Sequence, residues 1–136
     1  MLAKLDLKDA YRNIPIHRTD WNLLGFHWLG KLYYPVVLMF GGKSVPYIFN
    51  LFAEALHWII QWHTPVSLCH YFNNFLPIFR LSVPLHLSNT AIDWIEGLRK
   101  ELGLSFQPKK TIHTTTSLKF WGLELNSKAM EVHLPK

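Results

Sequence analysis

The acidic residues Asp6 and Asp9 are the first candidates for chemistry in this chain. Residues 2–7 alternate apolar and polar side chains, so a strand with its leucines facing inward places Asp6 on the other face, open to a cleft. Asp9 follows where the chain turns, and an acidic residue there caps the turn or pairs with a neighbouring basic side chain. Spacing alone favours structural roles, a solvated strand carboxylate and a turn residue.

A second candidate is the loop at residues 40–46, which reads Phe-Gly-Gly-Lys-Ser-Val-Pro. Ser44 is placed as a helix N-cap and Pro46 in the first turn of the helix that follows. Free N–H groups at the start of a helix can bind phosphate. The Lys-Ser pair lacks the upstream spacing of a P-loop, so the loop alone does not define a phosphate site.

A third candidate lies at residues 68–76, which predict two short apolar strands joined by a tight polar turn. Asn73 and Asn74 suit that turn because asparagine tolerates positive φ. A hairpin that lifts a polar pair to its tip is, by itself, an ordinary structural element. Cys69 lies in an apolar run, which predicts a buried and unreactive thiol.

The remaining pattern predicts the elements that must position these residues. In chain order they are a strand at 2–7, a hairpin within 21–37, a helix from Ser44 to about 62–65, the hairpin at 68–76, a helix from about Thr90 to Leu102, a strand at 117–125 and a short arm at 130–134. Gly103 ends the second helix. This order indicates an α+β domain, an antiparallel sheet with two helices packed on one face.

Composition fits one packed domain. The 136 residues are 49% hydrophobic and carry a formal net charge of +5, a basic bias compatible with nucleic acid but not specific to it. The single cysteine excludes an internal disulfide framework, and no apolar run has the length of a membrane span, so we expect an intracellular chain without a signal peptide. The eight histidines show no metal-ligand spacing.

Five short motifs, taken together and in this order, resemble the palm domain of reverse transcriptases. They are Lys-Leu-Asp-Leu-Lys-Asp-Ala-Tyr at 4–11, the glycine loop at 40–46, Tyr-Phe-Asn-Asn at 71–74, the segment 104–111 and Phe-Trp-Gly at 120–122. The likeness covers nearly the whole chain. Further runs at 24–28, 53–58 and 130–136 look most like retrotransposons of the DIRS type.

The resemblance implies a role for each matching residue. Asp6 matches the catalytic, metal-binding aspartate, and Lys110 matches the lysine that approaches the leaving phosphate. Tyr11 matches the aromatic gate that excludes ribonucleotides. The implied substrate-binding set is Tyr11, Phe40, Gly41, Gly42 and Tyr71, and the implied primer grip is Phe120, Trp121 and Gly122. The implied cofactor is Mg²⁺, and the implied partner is an RNA or DNA template–primer.

The chain departs from the family at the hairpin tip, where Asn73 and Asn74 stand in place of two metal-binding aspartates. Nucleotidyl transfer in this family uses two Mg²⁺ ions, and Mg²⁺ normally binds carboxylates together with substrate phosphates. Two amides supply oxygen atoms without negative charge. We therefore predict an incomplete metal site at Asp6 and no polymerase activity.

Three functional hypotheses remain open from the sequence. The first is a catalytically inactive reverse transcriptase palm derived from a retrotransposon. The second is a pseudo-enzyme retained for binding nucleic acid, and the third is a structural module without a ligand. On the family pattern, residues 1–136 correspond to the palm with part of the fingers, and most of the fingers and the thumb are expected to be absent.

Overall fold

Strand β1 (Leu2–Asp6) lies inside a four-stranded antiparallel sheet in the computed structural model, which describes residues 1–135. β5 (Asn74–Ile78) pairs with one edge of β1, and β6 (Ile112–Thr115) pairs with the other. β4 (Ser67–Tyr71) adds to β5, so the strand order is β4-β5-β1-β6. The predicted hairpin over 68–76 is therefore formed by β4 and β5.

Two long helices, α1 (Val45–His63) and α2 (Leu85–Glu101), pack on one face of this sheet. Successive strand side chains point to opposite faces, so alternate residues of β1 and β5 face the helices. The shared core includes Leu5, Leu7, Phe49, Leu56, Phe75, Ile92 and Ile95, all of them buried. The predicted α+β architecture with two helices on one face of an antiparallel sheet is confirmed.

The helix ends agree with the sequence in part. Ser44 does occupy the N-cap position of α1, but its side chain makes no capping hydrogen bond. α2 begins at Leu85 rather than near Thr90. The sequence pattern missed this start because the first turn buries the polar residue Ser88 and leaves Leu85 and Leu87 exposed. Ser88 is fully buried there, and its hydroxyl donates to the Pro84 carbonyl. Gly103 follows α2 with φ +69°, as expected for a C-terminal glycine.

A separate two-stranded hairpin joins β2 (Phe26–Trp28) to β3 (Lys31–Tyr33). Its two turn residues, Leu29 and Gly30, have φ of 48° and 72°. Two consecutive positive φ values are the requirement of a two-residue hairpin turn whose twist matches that of the strands. The aromatic-rich hairpin predicted within 21–37 is thus present.

The chain ends in a three-stranded sheet of β7 (Ser117–Phe120), β8 (Leu123–Asn126) and β9 (Glu131–His133). The prediction of one strand over 117–125 is wrong, because Trp121 and Gly122 have φ of 56° and 73° and reverse the chain.

This third sheet covers the side of the main sheet away from the helices. Leu118 is buried there against Leu2 and Leu76, and these three residues form a second, smaller core. Within residues 1–135, no helix is long and apolar enough to cross a membrane.

Candidate functional site

The end of β1 lies beside the tip of the β4–β5 hairpin. In the antiparallel register Asp6 faces Asn74, one step beyond the pair formed by Leu5 and Phe75. The ladder continues past the strand, because the Leu7 N–H donates to the Asn73 carbonyl at 2.7 Å. The predicted site residues Asp6, Asn73 and Asn74 are therefore brought together by backbone pairing.

The hairpin turn differs from the sequence prediction in one respect. The residue with positive φ is Phe72, at 50°, and neither asparagine has a positive φ. A left-handed conformation costs a residue of this type about 1–2 kcal/mol. Phe72 packs against the main core and against the edge of the Tyr71 ring, and this packing offsets that cost. The asparagines instead use their side chains to bind their neighbours.

The amide of Asn73 points its nitrogen at Asp6. Asn73 Nδ2 donates to Asp6 Oδ1 at 3.3 Å and to the Leu7 carbonyl at 3.1 Å. Both partners are hydrogen-bond acceptors only. If the Asn73 amide were flipped, its Oδ1 would therefore face two other oxygen atoms and make no hydrogen bond to them. Asn74 Nδ2 in turn donates to Asn73 Oδ1 at 3.2 Å. Both asparagine amides are thus engaged in a chain of hydrogen bonds that ends on the Asp6 carboxylate.

Lys110 reaches the same carboxylate from another part of the chain. Its Nζ lies 3.8 Å from Asp6 Oδ2. The loop that carries it is tied to the end of β1, because the Gln107 N–H donates to the Asp6 carbonyl at 2.7 Å and the Lys8 N–H donates to the Ser105 carbonyl at 2.7 Å. The Asp6 side chain is only 5% exposed, so the simple interpretation of a solvated strand carboxylate is wrong.

A cavity of about 400 Å³ opens above this network. Its lining residues are Asp6, Leu7, Lys8, Asp9, Ala10, Arg12, Phe40, Asn73, Gln107 and Lys110. Asp9 lies 4.0 Å from Lys8, one of the pairings expected from the sequence. Arg12 makes no ion pair with any residue of 1–135, so the cavity wall has an excess of positive charge.

Tyr11 and Phe40 meet at the rim of this cavity. The Tyr11 ring packs edge-on against Phe40 at 4.9 Å between centroids and against the buried Phe49 of α1 at 5.2 Å. Gly41 has φ +95°, and a Cβ on Gly42 would lie 2.8 Å from the side chain of Val45. The glycine loop thus needs both glycines to bring Phe40 and α1 together.

The residues predicted as a primer grip lie apart from the cavity lining. Phe120 ends β7, and Trp121 and Gly122 form the turn between β7 and β8. The Trp121 and Tyr71 rings are in contact at a steep angle, so the tips of two hairpins touch through exposed aromatic side chains. Tyr71 joins the two predicted groups, since it directly precedes the turn that carries Asn73.

The residues present do not fit a pair of Mg²⁺ ions. Asp6 is the one carboxylate of its network, and the groups that face it are an amide nitrogen and an ammonium, both of which repel a cation. In the described part of the chain, no group of three or more His, Cys, Asp or Glu side chains is arranged to hold a metal ion. The magnesium prediction stays a statement about the family.

Two features outside this site were not foreseen. Cys69 is exposed, because β4 is an edge strand and Cys69 faces away from α1, so the predicted buried thiol is wrong. On the other face of β4, His70 Nδ1 lies 2.7 Å from His57 Nδ1 of α1. The two histidines are on different elements, so their sequence spacing carried no signal of this contact.

Solved structures with the same fold were found. A structure of the foamy viral protease-reverse transcriptase in complex with dsDNA has a TM-score of 0.82 and 19% sequence identity, over 98% of this chain and 26% of that chain. The same viral protein with an RNA/DNA hybrid gives a TM-score of 0.78 at 17% identity, over 93% of this chain and 16% of that chain. A dRH form of the viral protein with dsDNA gives a TM-score of 0.79 at 19% identity, over 93% of this chain and 21% of that chain.

Comparison by sequence gave no such match. No protein-family model and no curated protein matches this chain. The chain spans about a quarter or less of the length of the viral structures, and identities below 20% compare the fold alone. The fold of this chain is that of a reverse transcriptase domain.

Proposed function

We propose that this chain is a reverse transcriptase palm without polymerase activity, derived from a retrotransposon. The observation that carries the proposal is the hydrogen bond from Asn73 Nδ2 to Asp6 Oδ1, with Lys110 on the other oxygen. An amide donor and an ammonium occupy positions around the carboxylate from which a metal-binding site would need oxygen ligands. The network is complete without a cation, so a divalent ion has no charge to neutralise there.

The expected effect on catalysis is large. Metal ions in two-metal sites stabilise the attacking and leaving oxygens, and each 1.4 kcal/mol of lost transition-state stabilisation lowers the rate about tenfold. Loss of two carboxylates removes two negative charges from the place where two dications must sit. Even if each carboxylate contributes only a few kcal/mol, polymerisation falls to background.

Primer extension tests the proposal in two settings. The chain itself, with an RNA template, a DNA primer and either Mg²⁺ or Mn²⁺, is expected to give no template-dependent product. Next, residues 68–76 are grafted into a complete reverse transcriptase of the same fold, with Asn73 and Asn74 or with both replaced by Asp. We expect extension only from the graft carrying Asn73→Asp and Asn74→Asp. Extension by the graft that keeps both asparagines would refute the metal argument.

The retrotransposon origin, most like DIRS-type elements, rests on the motif resemblance. A change from Asp to Asn needs one G-to-A transition in the codon, as cytosine deamination on the opposite strand produces. We also place the chain inside the cell, because its single cysteine, Cys69, is a free and exposed thiol.

A second candidate function, nucleic-acid binding without catalysis, is favoured by the excess of cations at the cavity. Lys8, Arg12 and Lys110 line it against two carboxylates. Lys43 and Lys109 are also exposed, as are the aromatic rings of the two touching hairpin tips. Such surfaces bind single strands through phosphate contacts and base stacking.

Salt dependence of RNA and DNA binding separates this candidate from a domain without a ligand. The logarithm of the binding constant is expected to fall linearly with the logarithm of salt concentration. Arg12→Gln should lower that slope by about 1 if Arg12 contacts a phosphate. Exposed Arg80 provides a matched control, since it does not line the cavity. Equal slopes for Arg12→Gln and Arg80→Gln would argue against binding at the cavity.

A further inference from the structure

The contact between His57 and His70 joins α1 directly to β4. The two Nδ1 atoms lie 2.7 Å apart, and the rings meet edge to face with centroids 4.9 Å apart. A separation of this length requires one proton between the nitrogens, because two lone pairs or two N–H groups would repel each other at that distance. The contact is therefore sensitive to the number of protons that the pair carries.

The neighbouring side chains fix the positions of the other protons. His57 Nε2 lies 2.9 Å from Gln61 Oε1, an acceptor, so His57 Nε2 carries a proton. In the neutral pair His57 Nδ1 then accepts from the N–H at His70 Nδ1, and His70 Nε2 is left with a lone pair. That lone pair faces Glu54 Oε1 at 3.8 Å.

The surroundings of His70 disfavour its charged form. Its side chain is 7% exposed and stacks on Phe75 of β5, which brings no charge to the ring. The charged and titratable groups that face it both come from α1, namely His57 and Glu54. Burial lowers the pKa of His70, and His57 lowers it further, while Glu54 acts in the opposite direction.

We propose that the His57–His70 contact is an acid-sensitive latch that holds β4 against α1 while the pair carries at most one extra proton and opens when both rings are charged. Burial disfavours one added proton, but the contact tolerates it, because it gives His70 Nε2 an N–H directed at Glu54 and leaves a single proton between the two Nδ1 atoms. A second added proton places two N–H groups face to face at 2.7 Å. The rings must then separate.

Opening would act on an edge of the sheet. β4 pairs with β5 on one side only, and the outer side of β4 has no strand partner in the described chain. Beyond β5, β4 is held by its packing against α1 and the core and, at its tip, by Tyr71 against Trp121. His70 directly precedes Tyr71, so separation of the rings loosens the strand next to the tip. The inference does not depend on the proposed loss of polymerase activity.

The sign of the pH dependence follows from the lowered pKa of His70. Well above pH 6.5 the ring is neutral in both the folded and the unfolded chain, and His70 causes no loss of stability. As the pH falls from about 6.5 to the lower folded pKa, the unfolded chain takes up a proton that the fold excludes, and stability is lost. For each excluded proton, the unfolding equilibrium constant rises at most about tenfold per pH unit in that range.

The test is urea unfolding of the full chain between pH 8 and pH 4.5, for the native protein and for His57→Asn/His70→Asn. Asparagine keeps a polar atom near the position of Nδ1 but does not titrate. We expect the double variant to lose part of the acid-induced rise in the unfolding constant. His86→Asn is the matched control, because His86 is exposed on α2 and its side chain makes no hydrogen bond within residues 1–135. A double variant with the pH profile of the native chain would overturn the latch.

Hydrogen exchange tests the local opening and needs only His57→Asn, a change at a partly exposed position. The amide oxygen introduced by this substitution can still accept from His70 Nδ1–H, whatever the charge on His70. Amides of β4 are expected to lose protection in acid in the native chain, relative to those of β1, and to keep it in His57→Asn. Imidazole ¹⁵N shifts at pH 8 should show one Nδ1–H and one Nε2–H ring. Two Nε2–H rings, or equal β4 protection at both pH values, would refute the proposal.

Discussion

Replacing Asn73 by Asp tests whether the Asn73 amide is what keeps a divalent cation from binding at Asp6. The new carboxylate would place an oxygen where Nδ2 now lies, 3.3 Å from Asp6 Oδ1 and 3.1 Å from the Leu7 carbonyl. Two hydrogen bonds become two oxygen–oxygen contacts. The native chain, in contrast, has a donor at this position and needs no ion.

The expected destabilisation follows from that distance. Two unit charges 3.3 Å apart repel by about 5 kcal/mol at an effective dielectric constant of about 20. Protonation of one carboxyl limits the penalty, because raising a pKa from about 4 to 7 costs about 4 kcal/mol at pH 7. Lys110 on the other oxygen of Asp6 offsets part of the repulsion. We expect Asn73→Asp to lower the free energy of unfolding by about 2–4 kcal/mol at pH 7 in EDTA.

A divalent cation should reverse this loss in the variant only. Binding to the folded state alone adds about 2.7 kcal/mol when the free ion is at 100 times its Kd. Urea unfolding is measured in EDTA, in MgCl₂ and in NaCl of equal ionic strength, for the native chain and for Asn73→Asp. Asn22→Asp is the control, since it adds the same charge at an exposed residue. The difference in the free energy of unfolding between Asn73→Asp and the native chain should also become smaller near pH 5, because one of the two carboxyl groups takes up a proton.

Two results would refute this reasoning. A variant as stable as the native chain in EDTA would mean that residue 73 does not face Asp6 closely. Stabilisation of the native chain by MgCl₂ beyond that given by NaCl would mean that the network with two amides binds the ion after all.

Three further outcomes follow from the fold. Phe75→Ala should lower the free energy of unfolding by about 3–5 kcal/mol in urea, because Phe75 is fully buried, whereas Leu81→Ala at an exposed position should change it by under about 0.5 kcal/mol. Gly30→Ala should cost about 1 kcal/mol through its φ of +72° alone, since a Cβ there meets no atom within 4 Å; an unchanged midpoint would contradict the turn geometry. Arg99→Ala should weaken packing on Phe106 and lower the thermal midpoint by a few degrees, with exposed Arg80→Ala showing less.

Local sequence patterns predicted the elements better than their ends. The hairpins and α1 were visible because aromatic runs, glycines and helical spacing are local signals. The start of α2 was missed because Ser88 faces the core, and a buried serine looks polar in the sequence. The turn at Trp121 was not predicted from the hydropathy pattern. Tryptophan is a common strand residue, and the sequence does not show that Trp121 has a positive φ.

The sequence could indicate which residues lie together at the candidate site, but it could not predict the hydrogen bonds between them. Motif resemblance selected Asp6, Asn73 and Lys110 together, and the structure places them within one network. No sequence pattern could tell that the Asn73 amide turns its nitrogen to Asp6, because that depends on which acceptors surround it. The same limit applies to His57 and His70, whose contact exists only after α1 packs on β4.

The position of β1 in the sheet has a consequence for how the chain folds as it is synthesised. β1 is made before both of its partners, which come much later in the chain, at Asn74–Ile78 and Ile112–Thr115. One edge of β1 stays unpaired until β5 has been made, about 70 residues later, and the other edge until β6 has been made, more than a hundred residues later. Helices and the local hairpins can form early, but closure of the sheet must wait for these distant pairings. Folding should therefore be limited by β6, and the nascent chain should be prone to aggregation until β6 arrives.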